Sequence, residues 1–422
     1  MKQKEEEIQQ KAEYCLQCKT KPCQTGCPLE NDIPGMIQKI RNQDIKGAYE
    51  VLCQTTMLPA ICGTICPHKS QCEGSCVRGK RQEPVSIGML EEFIGKQAIK
   101  QQWEIPLLDS HQQKEKIAIL GGGPCGLTCA GFLARMGYAV TIFERSDILG
   151  GILVHGIPDF RLDRKVVQKQ IEKILKLGIT VQYQKELGEN LLWKDLEKQY
   201  NAVFVSIGAN VSSKMQIPGE DLKGVYGANE LLEKSNHPSY IGKRVAVVGG
   251  GNVAMDAART IKRLGAMQVT VIYRRSEKEM PAERKEIELA KKEGIHFLFQ
   301  TNIVQIQGER GKVEKIECIH TKLVKKEGEK REIPVPIENS NETMPMDDVV
   351  MAVGSHPDHH VIQALPVEIT SKGYIKTKEN YQTSHPKIFA GGDVIGTKAT
   401  VAWAARSGKK AAYAIHQVLQ SH

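Results

Sequence analysis

The chain has 422 residues, of which 41% are hydrophobic, 5% aromatic and 25% charged, and its formal net charge is +9. This length leaves room for two to four domains with cores of their own. Uninterrupted apolar runs fall well short of the ~20 residues that a membrane-spanning helix needs. A nucleic-acid binder would usually carry a basic stripe interleaved with aromatic residues, and none is visible here. We therefore expect neither a membrane nor a nucleic acid as a partner.

Cysteine usage indicates the compartment. The chain contains twelve cysteines, and its first residues, MKQKEEE, are charged rather than apolar. Disulfide frameworks belong to small secreted domains behind an apolar leader, and we expect no such leader here. Many thiols without an export signal are typical of a reducing compartment, so we expect a cytoplasmic protein.

Eight of the cysteines form two quartets near the N-terminus, each with a Cys-Pro step. They read Cys15-x2-Cys18-x4-Cys23-x3-Cys27-Pro28 and Cys62-x3-Cys66-Pro67-x4-Cys72-x3-Cys76. Clustered quartets of this kind are typical of [4Fe–4S] ligands, although the bacterial ferredoxin run has a middle spacing of two rather than four. Four thiolates also suit a structural zinc site, and zinc stays open as the alternative. Spacing alone would assign all eight cysteines as ligands of two [4Fe–4S] clusters.

The cysteine region is expected to be helical from residue 1 to about 112. Its pattern predicts amphipathic helices over Met36–Leu52 and Glu91–Trp103,. A polar linker over residues 109–116 then leads into an apolar strand.

Two later segments repeat each other, at residues 116–146 and 244–276. Each reads as an apolar strand, a glycine-rich turn, a helix and a second strand, which is the βαβ unit of dinucleotide-binding folds. The chain therefore predicts two nucleotide-binding domains of Rossmann type.

The first repeat has the sequence Gly121-x-Gly123-x-x-Gly126 between strand and helix. Glycine permits the tight turn and a close approach of the backbone to a pyrophosphate, which the helix N-terminus then binds. Glu144 ends the second strand, where a carboxylate can bind ribose hydroxyls. We expect FAD here, with Asp393 placed for the ribityl chain. The other expected FAD contacts are Pro124, Arg145, Gly151, Arg161, Gly208, Gly392 and Thr400.

The second repeat has Gly249-x-Gly251-x-x-Ala254, followed by Asn252 and Val253 at the helix start as expected contacts. The position of the acid is taken by Tyr273, with Arg274 and Arg275 next. Two guanidinium groups can bind a 2′-phosphate, at about 1.5–3 kcal/mol for each charge-assisted contact. This indicates NADPH, preferred over NADH by about 10²-fold. The alternative is that both arginines are surface charges on a unit that binds NADH.

The remaining cysteines favour no dithiol chemistry. Cys125 and Cys129 fall on the first turn and its helix, where we expect them to pack, and Cys53 and Cys318 are expected to be buried thiols. No CxxC pair follows residue 18, so a disulfide-reductase mechanism is not expected. We assign no catalytic acid or base.

The other segments predict a helix over Leu162–Leu177, a strand over Ala202–Ile207 and a last helix over Val401–Leu419. Hairpins are expected between Ile303 and Pro336, with turn signals at Glu309–Gly311 and Lys326–Gly328,.

At this point the chain resembles a known family along nearly its whole length. It is similar to the small (β) subunit of NADPH-dependent glutamate synthase, to the N-terminal half of dihydropyrimidine dehydrogenase and to the large subunit of ferredoxin:NADP transhydrogenases. The segments that carry the resemblance are the two cysteine quartets, Ser86–Glu91, Gly150–Leu162, Gly249–Asp256 and Tyr273–Ala282.

The resemblance implies an α/β protein with an N-terminal helical iron–sulfur domain and an NADPH domain inserted in a discontinuous FAD domain. The implied boundaries are 1–112 for the [4Fe–4S] domain, 113–238 and 345–422 for the FAD domain, and 239–344 for the NADPH domain. It also implies the cluster ligands: Cys15, Cys18, Cys23 and Cys76 for one cluster, and Cys27, Cys66, Cys72 and Glu91 for the other. Cys62 would then be a bystander, whereas spacing alone would make it a ligand.

The resemblance further implies that NADPH reduces FAD and that electrons pass singly through the clusters to a flavin of a partner. The expected partner is a glutamate synthase large subunit or another flavin or iron–sulfur redox protein. A dihydropyrimidine dehydrogenase or ferredoxin:NADP transhydrogenase type complex is the alternative. A flavin reductase with a zinc-bound docking module is the competing hypothesis from another class.

Overall fold

The computed structural model of the chain describes residues 2–109, 111–233, 237–325 and 331–421. The turn expected at Lys326–Gly328 lies outside these residues. Within them, no helix combines the length and the apolar character needed to cross a membrane.

The N-terminal region is helical, with short helices separated by loops and by 3₁₀ turns at His68–Ser70 and Val77–Lys80. Its helices are α1 (Lys2–Glu13), α2 (Pro22–Gly26), α3 (Ile33–Arg41), α4 (Ile45–Cys53), α5 (Pro59–Ile65) and α6 (Ile87–Lys100).

The single helix expected over Met36–Leu52 is wrong, because the structure has α3 and α4 there. The carboxylate of Asp44 accepts a hydrogen bond from the Gly47 nitrogen at 2.8 Å and so caps the start of α4,. Gln43, just before it, has a φ of 58°, which interrupts the helix. An aspartate inside an amphipathic pattern therefore marked a new helix rather than a solvent-facing position.

Helices α5 and α6 pack with their backbones in close contact. A Cβ on Gly63 would lie 2.2 Å from the Glu92 nitrogen, and one on Gly95 would lie 2.2 Å from the Ala60 nitrogen. Two glycines thus allow the approach, one from each helix. This packing brings Cys62 on α5 and Cys66 at its C-cap toward Glu91 on α6.

The remainder of the chain begins with the first βαβ repeat. The elements from this repeat to residue 205 are β1 (Lys116–Leu120), α7 (Pro124–Arg135), β2 (Ala139–Phe143), α8 (Ile152–His155), α9 (Arg164–Leu175), β3 (Thr180–Gln182), α10 (Trp193–Gln199) and β4 (Ala202–Val205).

The second repeat and the antiparallel strands follow. They comprise β5 (Val211–Ser212), β6 (Val225–Gly227), α11 (Ala228–Glu233), β7 (Arg244–Val248), α12 (Asn252–Arg263), β8 (Gln268–Tyr273), α13 (Arg284–Lys292), β9 (His296–Phe299), β10 (Thr301–Glu309), β11 (Lys312–Val324), β12 (Ile333–Pro336), β13 (Glu342–Pro345), β14 (Asp348–Met351) and β15 (Ser355–His356). The chain ends with α14 (His359–Gln363), β16 (Ile388–Ala390) and α15 (Val401–Gln420).

The first sheet is parallel, in the order β16-β4-β1-β2-β3. All four residues of β4 and the last four of β1 are buried, as expected for strands covered on both faces,. Strand β16 comes from the C-terminal segment, so two distant stretches of the chain build this sheet. This agrees with a discontinuous first nucleotide domain.

The second sheet is also parallel, in the order β6-β14-β7-β8-β9. Strand β11 pairs antiparallel with β10, β12 and β13, and the turn expected at Glu309–Gly311 joins β10 to β11. Arg310 and Gly311 in this turn have φ values of 51° and 77°.

The chain divides into two compact units. One comprises the residues up to Val154, Asp159–Ala209 and the residues from Pro357 onward, and the other comprises His155–Pro158 and Asn210–His356. Strands β6 and β14 belong to the second sheet although they lie on the FAD side of the boundaries expected at 238/239 and 344/345, and these boundaries stay predictions. Pairing between strands far apart in sequence places β6 and β14 in this sheet, and periodicity does not reveal such pairing. The boundary at 112/113 does not separate the two units and stays a prediction.

Candidate functional site

Four cysteines from three separate segments line one cleft in the N-terminal region. Cys15 and Cys18 lie in the loop after α1, Cys23 lies in α2, and Cys76 precedes the second 3₁₀ turn. The apolar walls of the cleft include Ile33, Pro34, Ile37, Val85 and Ile87. The structure thus brings together the four residues that the resemblance assigns to one cluster.

Burial and mutual proximity disfavour free thiolates in this cleft. Burial raises the pKa of Cys15, and it raises the pKa of Cys23 to about 11, while the neighbouring thiols of the set add to both shifts. Arg41 opposes the shift at Cys15 and donates a hydrogen bond to the Cys15 carbonyl. The thiols of Cys15 and Cys23 therefore ionise readily only when a metal centre compensates their charge.

The second donor set gathers around Glu91 on α6. The side chain of Asn31 donates to Glu91 Oε1 at 3.3 Å and accepts from Thr55 Oγ1 at 2.6 Å. The backbone N–H of Asn31 also opposes the rise that burial causes in the pKa of Cys27. Asn31, which sequence reasoning missed, therefore links a cysteine of the first quartet to the buried carboxylate.

Burial raises the pKa of three groups of the second set. It raises the pKa of Cys27 to about 11 and that of Glu91 to about 8, and it raises the pKa of Cys72 strongly. Residue Glu91 is 6% exposed, and its carboxylate forms no ion pair within the described ranges. A buried acid with a single amide donor fits a ligand of a cationic centre.

Cys62 lies in the same place. A thiol–thiol hydrogen bond with Cys62 is the main cause of the raised pKa of Cys66, and Glu91 and Cys27 add to that shift. The second set thus contains five donors for the four positions of a cluster. The choice between Glu91 and Cys62 stays a prediction.

In the described part of the chain, no group of three or more His, Cys, Asp or Glu side chains is arranged to hold a single metal ion. A tetrahedral zinc site needs its thiolates to converge within about 2.3 Å of one centre. A [4Fe–4S] cluster places each ligand on a different iron atom, so wider spacing suits it. Both centres take thiolate ligands, and iron and sulfide analysis of the protein separates them.

The first glycine turn is shaped by two close backbone approaches. Gly121 has a φ of 94°, and a Cβ there would lie 2.7 Å from the Ser206 carbonyl oxygen. A Cβ on Gly126 would lie 2.0 Å from the Gly121 carbonyl oxygen. Only glycine fits at either position without moving the backbone. Pro124 is the first residue of α7, which begins within the glycine turn,.

Glu144 closes this turn from the end of β2. Its Oε2 accepts from the Gly122 N–H at 2.8 Å, and its Oε1 accepts from both the N–H and the hydroxyl of Ser146 at 3.0 Å. Gly151 approaches Gly123 so closely that a Cβ on Gly151 would lie 3.0 Å from the Gly123 Cα. The glycine turn at Gly121–Gly126, the acid Glu144 and the loop at Gly151 therefore form one cradle. Ser146 also belongs to it, and sequence reasoning missed this residue.

The C-terminal segment reaches the same cradle. A Cβ on Gly392 would lie 3.3 Å from Cys125 Sγ, at the start of α7. The adjacent Asp393 has a buried Oδ1 with no hydrogen-bond partner among the residues that the structure describes, and burial raises its pKa to about 6. An orphaned carboxylate oxygen beside a phosphate-binding turn fits a ligand hydroxyl such as that of a ribityl chain. The first cradle thus fits FAD.

The other predicted FAD contacts are more scattered. Gly208 follows β4 with a φ of 74°, and Thr400 caps α15 by accepting from the Trp403 N–H at 3.3 Å. Arg145 is exposed after β2, and Arg161 is half-buried before α9. Contact of these four residues with FAD remains a prediction.

The second glycine turn is more open. Gly249 has a φ of 140°, and a Cβ there would lie 2.2 Å from the Ala352 carbonyl oxygen. A Cβ on Gly251 would meet no described atom within 4 Å, which leaves space in front of α12. Asn252 Oδ1 accepts from the Glu283 N–H at 3.0 Å, and Val253 packs against the core. Only backbone groups of Val253 are therefore available to a phosphate.

The residue that replaces the acid is held in place. A Cβ on Gly250 would lie 2.6 Å from the ring of Tyr273, and the Tyr273 hydroxyl donates to the Glu279 carbonyl at 2.9 Å. Arg275 donates to the Glu332 carbonyl at 2.8 Å, and Arg274 is exposed. Burial raises the pKa of Tyr273, and both arginines and Arg331 oppose that shift. Arg331, which no motif marked, thus joins a cationic group that fits a 2′-phosphate.

Two family models match the chain. "Pyridine nucleotide-disulphide oxidoreductase" matches residues 81–160 and 115–416. "Dihydroprymidine dehydrogenase domain II, 4Fe-4S cluster" matches residues 1–103. The predicted fold class, with an N-terminal iron–sulfur domain followed by nucleotide-binding domains, is confirmed.

Several relatives match nearly the whole chain. The protein AegA of Escherichia coli (strain K12) is 36% identical over 97% of this chain, which spans 65% of the length of AegA. The glutamate synthase [NADPH] small chain of the same organism is 36% identical, with coverage of 97% of this chain and 91% of the relative. The NADP(+)-dependent formate dehydrogenase subunit beta of Moorella thermoacetica is 35% identical over 95% of this chain and 60% of its own length.

A solved structure supports the fold. FprA of Mycobacterium tuberculosis, in complex with NADPH, has a TM-score of 0.65 at 19% identity and covers 73% of this chain and 85% of FprA. At this identity the likeness shows the fold alone. The family model over most of the chain and the small-chain relative matched along 91% of its length show more. The chain belongs to the pyridine nucleotide-disulphide oxidoreductase family and, within it, to the family of the NADPH-dependent glutamate synthase small chain.

Proposed function

We propose that this chain is the NADPH-oxidising, electron-input subunit of a glutamate synthase, and that it binds FAD and two [4Fe–4S] clusters. The observation that carries the proposal is that two separate donor sets form in a chain that also folds two dinucleotide cradles. The proposed ligands are Cys15, Cys18, Cys23 and Cys76 in one set, and Cys27, Cys66, Cys72 and Glu91 in the other.

The nucleotide cradles support a division of labour. The first, with Glu144 and Asp393, is proposed to bind FAD, and the second, with Arg274 and Arg275, is proposed to bind NADPH. A bound flavin supplies the conversion between a two-electron hydride and the single electrons that iron–sulfur centres carry. The protein groups around it orient the nucleotides and need not act as acids or bases.

The expected partner is the large subunit of a glutamate synthase, because the small-chain relative is matched along most of its length. The twelve cysteines support a reducing compartment, and we place the protein in the cytoplasm,.

Chemical analysis of the anaerobically purified protein tests the cofactors. We expect about eight iron atoms, eight acid-labile sulfides and one FAD per chain, since each cluster has four iron atoms and four sulfides. A Cys318→Ala variant, which alters a thiol outside both sets, is the matched control and should keep the same content. A content of about four iron atoms per chain would show that the chain binds one cluster rather than two. Zinc without sulfide would refute the iron–sulfur proposal.

The fourth ligand of the second cluster is tested by a pair of variants. Glu91→Ala should change or remove one of two cluster EPR signals, whereas Cys62→Ala should leave both in place. The reverse result would make Cys62 the ligand and Glu91 a buried neighbour.

The partner is tested by purifying the tagged chain from its native extract without oxygen. Recovery of a glutamate synthase large subunit in near-equal amount, with NADPH-dependent glutamate formation by the complex, is the expected result. An Arg274→Ala/Arg275→Ala chain should form the same complex but need much more NADPH. Recovery of a different redox subunit would remove glutamate synthesis from the proposal and leave the electron path.

A second candidate is an electron-transfer subunit for another oxidoreductase. The formate dehydrogenase subunit beta matches this chain almost as well, although over 60% of its own length. The family model that matches residues 1–103 likewise carries the name of dihydropyrimidine dehydrogenase. The same purification distinguishes these partners from a glutamate synthase.

A further inference from the structure

The last helix of the chain contacts the loop that follows Cys27. From α15, Arg406 donates to the Pro28 carbonyl at 2.5 Å and pairs with the Glu30 carboxylate at 2.6 Å. Lys409, one turn further along, donates to the Leu29 carbonyl at 2.6 Å. Arg406 therefore binds the peptide group between Pro28 and Leu29, and Lys409 binds the one between Leu29 and Glu30. Both follow directly after Cys27 in the chain.

Both peptide groups point their N–H toward Cys27. The Leu29 N–H, which shares a peptide with the Pro28 carbonyl, opposes the rise that burial causes in the pKa of the Cys27 thiol. The Glu30 N–H, which shares a peptide with the Leu29 carbonyl, donates to the Cys27 carbonyl at 3.0 Å. A cation on a carbonyl polarises its peptide and strengthens the hydrogen bond made by the N–H at the other end.

Charge adds to this polarisation. Lys409 is 9% exposed, and its charge interacts with the Cys27 thiol as well as with Glu30. Burial lowers the pKa of Lys409, and the Glu30 carboxylate opposes that shift. Two cations face one carboxylate here, so a net positive charge lies beside Cys27.

We infer that Arg406 and Lys409 are positioning residues that raise the reduction potential of the cluster at Cys27, Cys66, Cys72 and Glu91. The inference rests on the proposed function, in which the clusters carry single electrons that come from the reduced flavin of the same chain. Reduction adds one negative charge to the cluster and makes or breaks no bond. Hydrogen bonds to the ligand sulfur and nearby positive charge both stabilise the reduced state, and both are known determinants of cluster potential.

The test is an EPR-monitored redox titration of the purified protein. Lys409→Met should lower the midpoint potential of this cluster so that the ratio of reduced to oxidised cluster falls about tenfold at a given potential, about 59 mV for one electron. Arg406→Gln should shift it in the same direction. Lys410→Met, which removes the adjacent exposed lysine, and Lys409→Arg, which keeps the charge, should shift it far less.

Glu30→Gln supplies a variant of opposite sign. It removes the carboxylate and keeps both cations, so the midpoint potential should rise, by less than the fall in Lys409→Met because Glu30 is half exposed. If Lys409→Met fails to assemble the cluster, the sign of the Glu30→Gln shift decides. The cluster at Cys15, Cys18, Cys23 and Cys76 is an internal reference that should not move.

Two results would overturn the inference. One is an unchanged potential in Lys409→Met with both EPR signals intact, and the other is no upward shift in Glu30→Gln. A wild-type protein with only one cluster would instead refute the proposed function, and the iron and sulfide analysis detects that before any variant is made.

Discussion

The two nucleotide cradles are built on the same βαβ unit but differ in the residue that ends the second strand. In the first, the Glu144 carboxylate accepts the Gly122 N–H at 2.8 Å. In the second, the Tyr273 ring lies against Gly250, whose Cβ would come within 2.6 Å of it. The middle glycine thus faces an anion in one cradle and an aromatic ring in the other. One side chain at the strand end changes the charge of the site without altering the scaffold.

The third glycine position differs as well. Gly126 has no room for a Cβ, which would lie 2.0 Å from the Gly121 carbonyl oxygen, whereas the second unit has Ala254 there, fully buried in its core. The first turn is therefore closed more tightly onto its helix than the second. Substitutions in the two cradles should have unequal effects for this reason.

The largest effect is expected from Gly126→Ala. The added methyl group meets backbone, which cannot rotate away, so we expect a loss of about 3 kcal/mol or more in the free energy of unfolding, together with lost FAD. Ala254→Gly, the reciprocal change, should cost about 1 kcal/mol, mainly through helix propensity. Denaturant unfolding and bound flavin absorbance measure both. Full FAD content in Gly126→Ala would show that the two turns are equally tolerant.

Asp393→Asn tests the buried acid at the first cradle. The folded-state pKa of Asp393 is raised by burial from 3.8 to about 6. Its protonated form therefore favours folding, and that contribution is lost as pH rises from about 4 through about 6. In the FAD-free protein, Asp393→Asn should gain at most about 3 kcal/mol of stability relative to wild type above pH 6 and nothing below pH 4. An equal difference at both pH values, measured by chemical unfolding, would contradict this.

Arg274→Ala/Arg275→Ala tests the cationic group of the second cradle. Loss of two charge-assisted contacts should raise the KM for NADPH by about 10²-fold and leave that for NADH nearly unchanged. Arg310→Ala, at the exposed turn between β10 and β11, is the matched control in the same unit. Steady-state kinetics with a small-molecule electron acceptor measure all three proteins. Equal loss for both nucleotides would mean that the arginines do not read the 2′-phosphate.

The smallest effect is expected from Tyr273→Glu, which gives the second cradle the acid of the first. A carboxylate beside Gly250 should repel the 2′-phosphate and reduce the NADPH preference about tenfold, or about 1.4 kcal/mol. Tyr273→Phe removes only the hydrogen bond to the Glu279 carbonyl and should keep the preference. An unchanged ratio of the KM values in Tyr273→Glu would show that the strand-end residue does not set the charge of the site.

Local sequence was sufficient for the glycine turns, their strands and their helices. Turn and helix start are decided by residues a few positions apart, and the backbone demands of Gly121 and Gly249 act within that range. The same is true of α15, expected over Val401–Leu419 and observed over Val401–Gln420. Local sequence was insufficient at Asp44, which caps the start of α4. An aspartate that caps a helix and one that faces solvent within a helix fit the same local pattern.

The sequence by itself determined the repeated βαβ units, the acid in one and the arginines in the other, and the presence of two cysteine quartets. The resemblance had already grouped the cluster ligands, and the tertiary structure shows how they meet: Cys76 lines the cleft of Cys15, Cys66 lies near Cys27 and Glu91, and the segment of Asp393 reaches the first turn. Only the tertiary structure assigned β6 and β14 to the second sheet and placed Arg406 and Lys409 on the Cys27 loop. These contacts join residues far apart in the chain, and they arise because helices and strands bury their apolar faces together, which no local spacing specifies.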